Sequence, residues 1–71
     1  MIEMQFVSSS NVEQIGYDPD LSELHVKHLR SPTVYVYLNV PLQIWEGLLA
    51  APSKGIFLGS EVKNVYQFEK R

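Results

Sequence analysis

Residues 33–45 read TVYVYLNVPLQIW, and the fold turns on how this stretch is interpreted. Residues 33–40 are rich in β-branched and aromatic side chains, which suit a pleated strand. Val40-Pro41 then leads straight into a helix, because a proline in the first turn lacks only an N–H that the helix leaves unpaired anyway. Along the strand Val34, Val36, Leu38 and Val40 share one side, and Tyr35, Tyr37 and Asn39 the other. Both sides are largely apolar, so composition does not decide which one meets the core.

The preceding hairpin decides it. Residues 22–29, SELHVKHL, alternate clearly: Leu24, Val26 and His28 on one face, His25 and Lys27 on the other. An even turn sets Val26 opposite Tyr35 and Leu24 opposite Tyr37, so that the tyrosines share the apolar face. An odd turn sends the tyrosines outward and Val34 and Val36 inward. Arg30-Ser31, or the four residues Leu29 to Pro32, both fit the even turn, which is the preferred reading.

Upstream, residues 12–18, VEQIGYD, form a first strand with Ile15 and Tyr17 on one face; Gly16 inside it signals a bulge or the close approach of another backbone. Asp18-Pro19-Asp20 is a turn, since Asp bonds its own downstream backbone and Pro presets φ. The serine run Ser8-Ser9-Ser10 with Asn11 is a polar turn or, as the alternative, a ligand-contacting loop, and the segment before it is short and partly apolar. Downstream, Leu42, Trp45, Leu48 and Leu49 recur at helical spacing, and Ala51-Pro52 stops that helix. Ser53 caps a second, glycine-weakened helix with Leu58, Val62 and Val65 on one face. The tail, residues 65–71, reads as a final strand, a frayed helix end or an extended arm. The fold class is therefore α+β: a three-stranded antiparallel meander followed by two helices packed on one face, with an extended C-terminal tail, all in one domain over residues 1–71.

With 71 residues and no cysteine, the chain has neither disulfides nor thiolate metal sites to support a small core. That leaves association with a second chain as the expected support. Eight acidic against six basic residues give a net charge of −2, which argues against non-specific grip on phosphate as the main task. The N-terminus MIEMQFVSSS has no cationic and apolar regions of a signal peptide, and no apolar run spans a bilayer, so a cytoplasmic, non-membrane protein is expected. His25 and His28 fall on opposite strand faces and do not share a metal; His25 is expected to be exposed and His28 to be partly buried and hydrogen-bonded. The acidic cluster Asp18, Asp20 and Glu23 lacks calcium-loop spacing. There is no nucleophile elbow and no phosphate-binding glycine loop. No cofactor and no catalytic residue is expected, and the chain reads as a binding domain.

The series Ser9-Ser10, Ile15-Gly16-Tyr17-Asp18, Leu24-x-Val26, Tyr35-x-Tyr37, Val40-Pro41, Leu48, Ala51, Ser53-Lys54-Gly55, Val62-Lys63 and Tyr66 resembles the KTSC domain in order and interval. That family takes its name from the C-terminus of some lysyl-tRNA synthetases and also occurs as small stand-alone bacterial and phage proteins. The resemblance implies an RNA-related accessory role with no established activity. The residue between the tyrosines is commonly polar in the family, which implies inward tyrosines; here it is Val36. The aromatic usual near His28 and the basic and amide residues usual near Gly59-Ser60-Glu61 are absent, which weakens a phosphate-binding helix in this member.

Two functions follow as expectations. One is RNA binding, with Lys54 and Lys63, joined by Lys70 and Arg71, as a basic edge and with Tyr35 and Tyr37 as stacking platforms where exposed. Against it stand the net charge and the prospect that both tyrosines are core. The other is protein interaction or self-association through the outward row Val34, Val36 and Leu38.

Overall fold

The turn is even. In the computed structural model, which describes residues 2–71, the strand Glu23–His28 (β3) pairs antiparallel with Val34–Tyr37 (β4) in the register Leu24↔Tyr37, His25↔Val36, Val26↔Tyr35 and Lys27↔Val34. Met1 lies outside the described residues. Before β3 come Gln5–Phe6 (β1) and Val12–Asp18 (β2); after β4 come the helices Leu42–Ala50 (α1) and Lys54–Phe57 (α2), a π-helical turn Leu58–Val62, and Phe68–Lys70 (β5). The strands form one antiparallel sheet in the order β1-β2-β3-β4-β5. Five strands thus replace the expected three. The two extra ones are edge strands of two and three residues. The tail resolves as a strand because its backbone pairs with β4, Val34 and Arg71 exchanging bonds of 2.9 and 2.8 Å.

Register divides the sheet into two faces. Ile15, Tyr17, Leu24, Val26, Tyr35 and Tyr37 point to the helices, where Leu24, Val26 and Ile15 are fully buried with Val40, Leu48 and Val62. Ile44 and Leu48, at i and i+4, carry α1 onto this face with Trp45, whose ring stacks on Tyr17 at 5.7 Å. Leu42 and Leu49, expected in the same stripe, are exposed instead. Ser53 Oγ caps α2 by accepting from the Ile56 N–H at 3.2 Å. After α2 the Lys63 N–H reaches back to the Leu58 carbonyl at 2.7 Å, the i→i+5 bond that widens the last turn. Leu58 and Val62 both enter the core in consequence, whereas Val65, beyond a left-handed Asn64 (φ 68°), is exposed.

The outer face is covered. Gly16, His25, Val36 and Glu69 form one row across it. The N-terminal segment crosses at Gly16, where a Cβ would stand 2.8 Å from the Glu3 carbonyl oxygen and 2.7 Å from Met4 Sδ. The glycine therefore marks a close backbone approach. At the other end Arg71 donates to Glu69 Oε1 (2.7 Å) and to Glu23 Oε2 (3.4 Å), and His25 Nε2 lies 3.2 Å from Glu23 Oε1. Glu69 is opposite Val36 on β5 and Glu23 lies on β3, so this ionic chain passes over β4. Val36 beneath it has no exposed surface. The outward aliphatic row is thereby corrected: Val36 is buried and Val34 and Leu38 are half-buried. His25, expected to be exposed, is half-buried and engaged. Among the described residues no helix is long and apolar enough to cross a membrane.

Candidate functional site

The inner face of β4 and β5 carries a strip of aromatic side chains. Two-residue alternation places Phe68 opposite Tyr37 and Lys70 opposite Tyr35. Phe68 stacks on Tyr35 at 5.5 Å with planes 19° apart, and meets Tyr37 at 5.6 Å. His28 puts its ring edge-on to Tyr35 at 5.6 Å, and Lys70 Nζ lies 5.7 Å from the centre of the Tyr35 ring, within cation–π range. Tyr35 is half-buried and its ring already has these three neighbours; Tyr37 is 6% exposed and belongs to the core. Within this strip Phe68, 48% exposed, is the ring most open to solvent.

Between this strip and the second helix lies a pocket of about 240 Å³. Asn11, His28, Tyr35 and Tyr37 line it from the sheet, and Gly55, Leu58, Gly59 and Lys63 from the helix. His28 Nδ1 stands 3.3 Å from the Asn11 carbonyl oxygen, which only accepts. Nδ1 thus carries the proton, and Nε2 of the neutral ring is left as an acceptor. Burial, and secondarily the neighbouring Tyr35, hold the Tyr37 hydroxyl above the ordinary tyrosine range, so that it is a neutral donor at physiological pH. Among the described residues neither tyrosine hydroxyl and no atom of the Lys63 ammonium has a hydrogen-bond partner, yet no buried polar side-chain atom is left unsatisfied. These groups therefore open onto the pocket or solvent.

Charge is sorted along the molecule. The outer face pairs Glu13 with Lys27 and joins Glu23 and Glu69 to Arg71. The hydrogen bond from Lys27 holds the Glu13 carboxyl below its usual range. Asp18 and Asp20 sit at the β2–β3 turn, Asp18 Oδ1 accepting from the N–H groups of Asp20 (2.9 Å) and Leu21 (3.2 Å). No carboxylate lines the pocket, and among the described residues Lys63 and Lys70 are free of carboxylate partners. Among the described residues no group of three metal-binding side chains is found.

The structure brings together three of the four residues expected to meet nucleic acid, Tyr35, Tyr37 and Lys63. Lys54 is not among them. Its ammonium donates to the carbonyls of Leu49 (3.1 Å) and Ala51 (2.7 Å), closing the C-terminal end of α1. It borders a separate polar hollow with Ser8, Ser9, Ser10 and Ser53. Arg71, expected on the same basic edge, is committed to Glu69 and Glu23. Sequence reasoning gave Asn11 only as part of a turn or ligand-contacting loop, passed over His28 and Phe68 as site residues, and named Lys70 only as an extension of the basic edge. The signal for Phe68 and Lys70 was the alternation Tyr66-x-Phe68-x-Lys70, which a strand assignment of the tail turns into a shared face with the tyrosines.

The model of the KTSC domain matches residues 8–66. A protein of Tsukamurella paurometabola is 42% identical over 60 residues, which cover 84% of this chain and 88% of that one. The crystal structure of a KTSC domain protein from Yersinia pestis superposes with a TM-score of 0.94 at 35% identity, over 100% of this chain and 99% of that chain.

Proposed function

This chain belongs to the KTSC domain family, and from that premise we propose that it is a non-enzymatic RNA-binding accessory module whose contact surface is the aromatic strip of β4 and β5. The observation that carries the reading is Phe68: a large aromatic face, 48% exposed, backed by Tyr35 and Tyr37 and flanked by Lys70 and the pocket that Lys63 lines. An exposed aromatic beside unpaired cations is how single-stranded nucleic acid is held without strong sequence preference. The stacking role moves from the tyrosines to Phe68, and the basic edge shrinks to Lys63 and Lys70. The net charge of −2 weighs less than it did, because the outer face pairs three of the eight carboxylates with basic side chains and the pocket end holds none. Attachment of the family to some lysyl-tRNA synthetases is in keeping with an RNA ligand. Self-association through Val34, Val36 and Leu38 has lost its motive, since Val36 presents no surface.

Titration with tRNA and with a single-stranded oligoribonucleotide at two salt concentrations tests the proposal. Two phosphate contacts, by Lys63 and Lys70, give a slope of log affinity on log salt near −1.4, at about −0.7 per contact. Phe68→Ala is expected to cost about 1–3 kcal/mol of binding, the value of one stacked base. Absence of binding at low salt, or binding indifferent to salt, overturns it.

A further inference from the structure

We propose that the pocket between the tyrosines and the second helix is a slot for one unstacked base of the bound strand. This inference rests on the RNA-binding reading and deepens it: Phe68 supplies a platform that tolerates any base, and the slot supplies selectivity.

Shape is the first argument. At about 240 Å³ the pocket falls below the roughly 300–1,000 Å³ of ordinary small-molecule sites, which suits a single ring system and not a whole nucleotide. Its helical wall is stripped of side chains at Gly55 and Gly59, four residues apart and so on one face. A Cβ at Gly59 would meet nothing within 4 Å, whereas the space at Gly55 is filled by the Asn11 carboxamide, whose Oδ1 would be 2.7 Å from such a Cβ. The opposite wall is made by Tyr35 and Tyr37. A slot with aromatic groups on one side and, on the other, the bare backbone of Gly59 beside the Asn11 carboxamide that covers Gly55 admits a flat ligand.

Polarity is the second. The pocket offers donors from the Tyr37 hydroxyl and from Asn11 Nδ2, the Oδ1 of the same amide being engaged by Ser9 Oγ at 3.3 Å. It also offers an acceptor, His28 Nε2. A phosphate presents acceptors only and would be matched by donors and several cations; here Lys63 is the one cation in the lining. Mixed donors and acceptors match the edge of a base, and Lys63 is left for the phosphate of that nucleotide. Splayed bases read on their edges are the usual basis of sequence preference on single-stranded RNA.

The experiment compares four homopolymeric oligoribonucleotides of equal length on the full chain, first with wild type and then with Gly59→Leu and Tyr37→Phe. The slot predicts that wild type prefers one homopolymer over the weakest by at least tenfold, because a site built to hydrogen-bond rejects the wrong edge. Gly59→Leu starts from open space and improves helix propensity, so thermal melting by Trp45 fluorescence should show it folded. It is expected to lower binding of the preferred homopolymer at least tenfold, to the level of the others. Tyr37→Phe removes one hydroxyl only and is expected to narrow the preference severalfold, which keeps the test decisive should the leucine variant unfold. Equal binding of all four homopolymers by wild type, or an undiminished preference in both variants, overturns the slot and leaves the RNA-binding reading standing. No binding of any homopolymer at low salt overturns the RNA-binding reading, and the slot with it.

Discussion

Replacing Val36 by alanine distinguishes a buried outer face from an exposed one. The side chain has no solvent-accessible surface, although it lies on the side of the sheet away from the helices. Removing two carbons from a buried site forfeits about 0.8 kcal/mol each, or about 1.6 kcal/mol. The space left beneath the Glu23–Arg71–Glu69 chain does not fully close, and a cavity term raises the loss to roughly 2–3 kcal/mol. A domain of 71 residues has about 4–11 kcal/mol in total, at about 0.05–0.15 kcal/mol per residue, so this is a substantial fraction. At about 4–8 °C per kcal/mol for a domain of this size, the melting temperature should fall by about 10 °C or more. Equilibrium urea unfolding followed by the single tryptophan, Trp45, measures the loss directly, with an unchanged slope showing that compactness is unaltered. A change within about 0.5 kcal/mol, the range of ordinary surface positions, refutes the covered face. Arg71→Ala in the same background completes a cycle: the two losses should couple, since removing the guanidinium uncovers the same site.

Gly16→Ala should destabilise by about 1–3 kcal/mol in the same urea assay, because the new Cβ meets the Glu3 carbonyl and the chain crossing there must move. Tyrosinate absorbance between pH 9 and 13 should show one of the four tyrosines ionising above the others, and Tyr37→Phe should remove that late phase. The sign follows from a raised folded value: the contribution of Tyr37 to stability is complete below the ordinary tyrosine pKa of about 10 and is lost as pH rises from there through the folded value.

Most of the central sheet was legible because its signals are local. Alternation in residues 22–29 and 33–40, with the parity of the turn between them, was enough to place Val26 against Tyr35 and Leu24 against Tyr37. The cap at Ser53, the turn at Asp18 and the close approach at Gly16 were legible for the same reason, each following from one residue's own chemistry. The edge strands were not, because two or three residues carry no period. Lys54 was misplaced because a lysine near a helix start looks alike in sequence whether it meets solvent or caps the preceding helix. The helix face drawn through Val65 failed because the helix ends at Val62: Lys63 is extended and Asn64 left-handed, so Val65 lies outside it.

Sequence by itself determined the three central strands and where each helix begins, which strand faces go together, and that the tyrosines turn inward. Periodicity and turn parity act between near neighbours, and no distant contact is needed to read them. Tertiary structure alone decided that the tail is a fifth strand, that Arg71 reaches across β4 to Glu23, and that Phe68 and Lys70 stand beside Tyr35. It also decided that Asn11, His28 and Lys63 surround one pocket. These are meetings of segments far apart in the chain, and they depend on where the last strand docks rather than on any pattern within it.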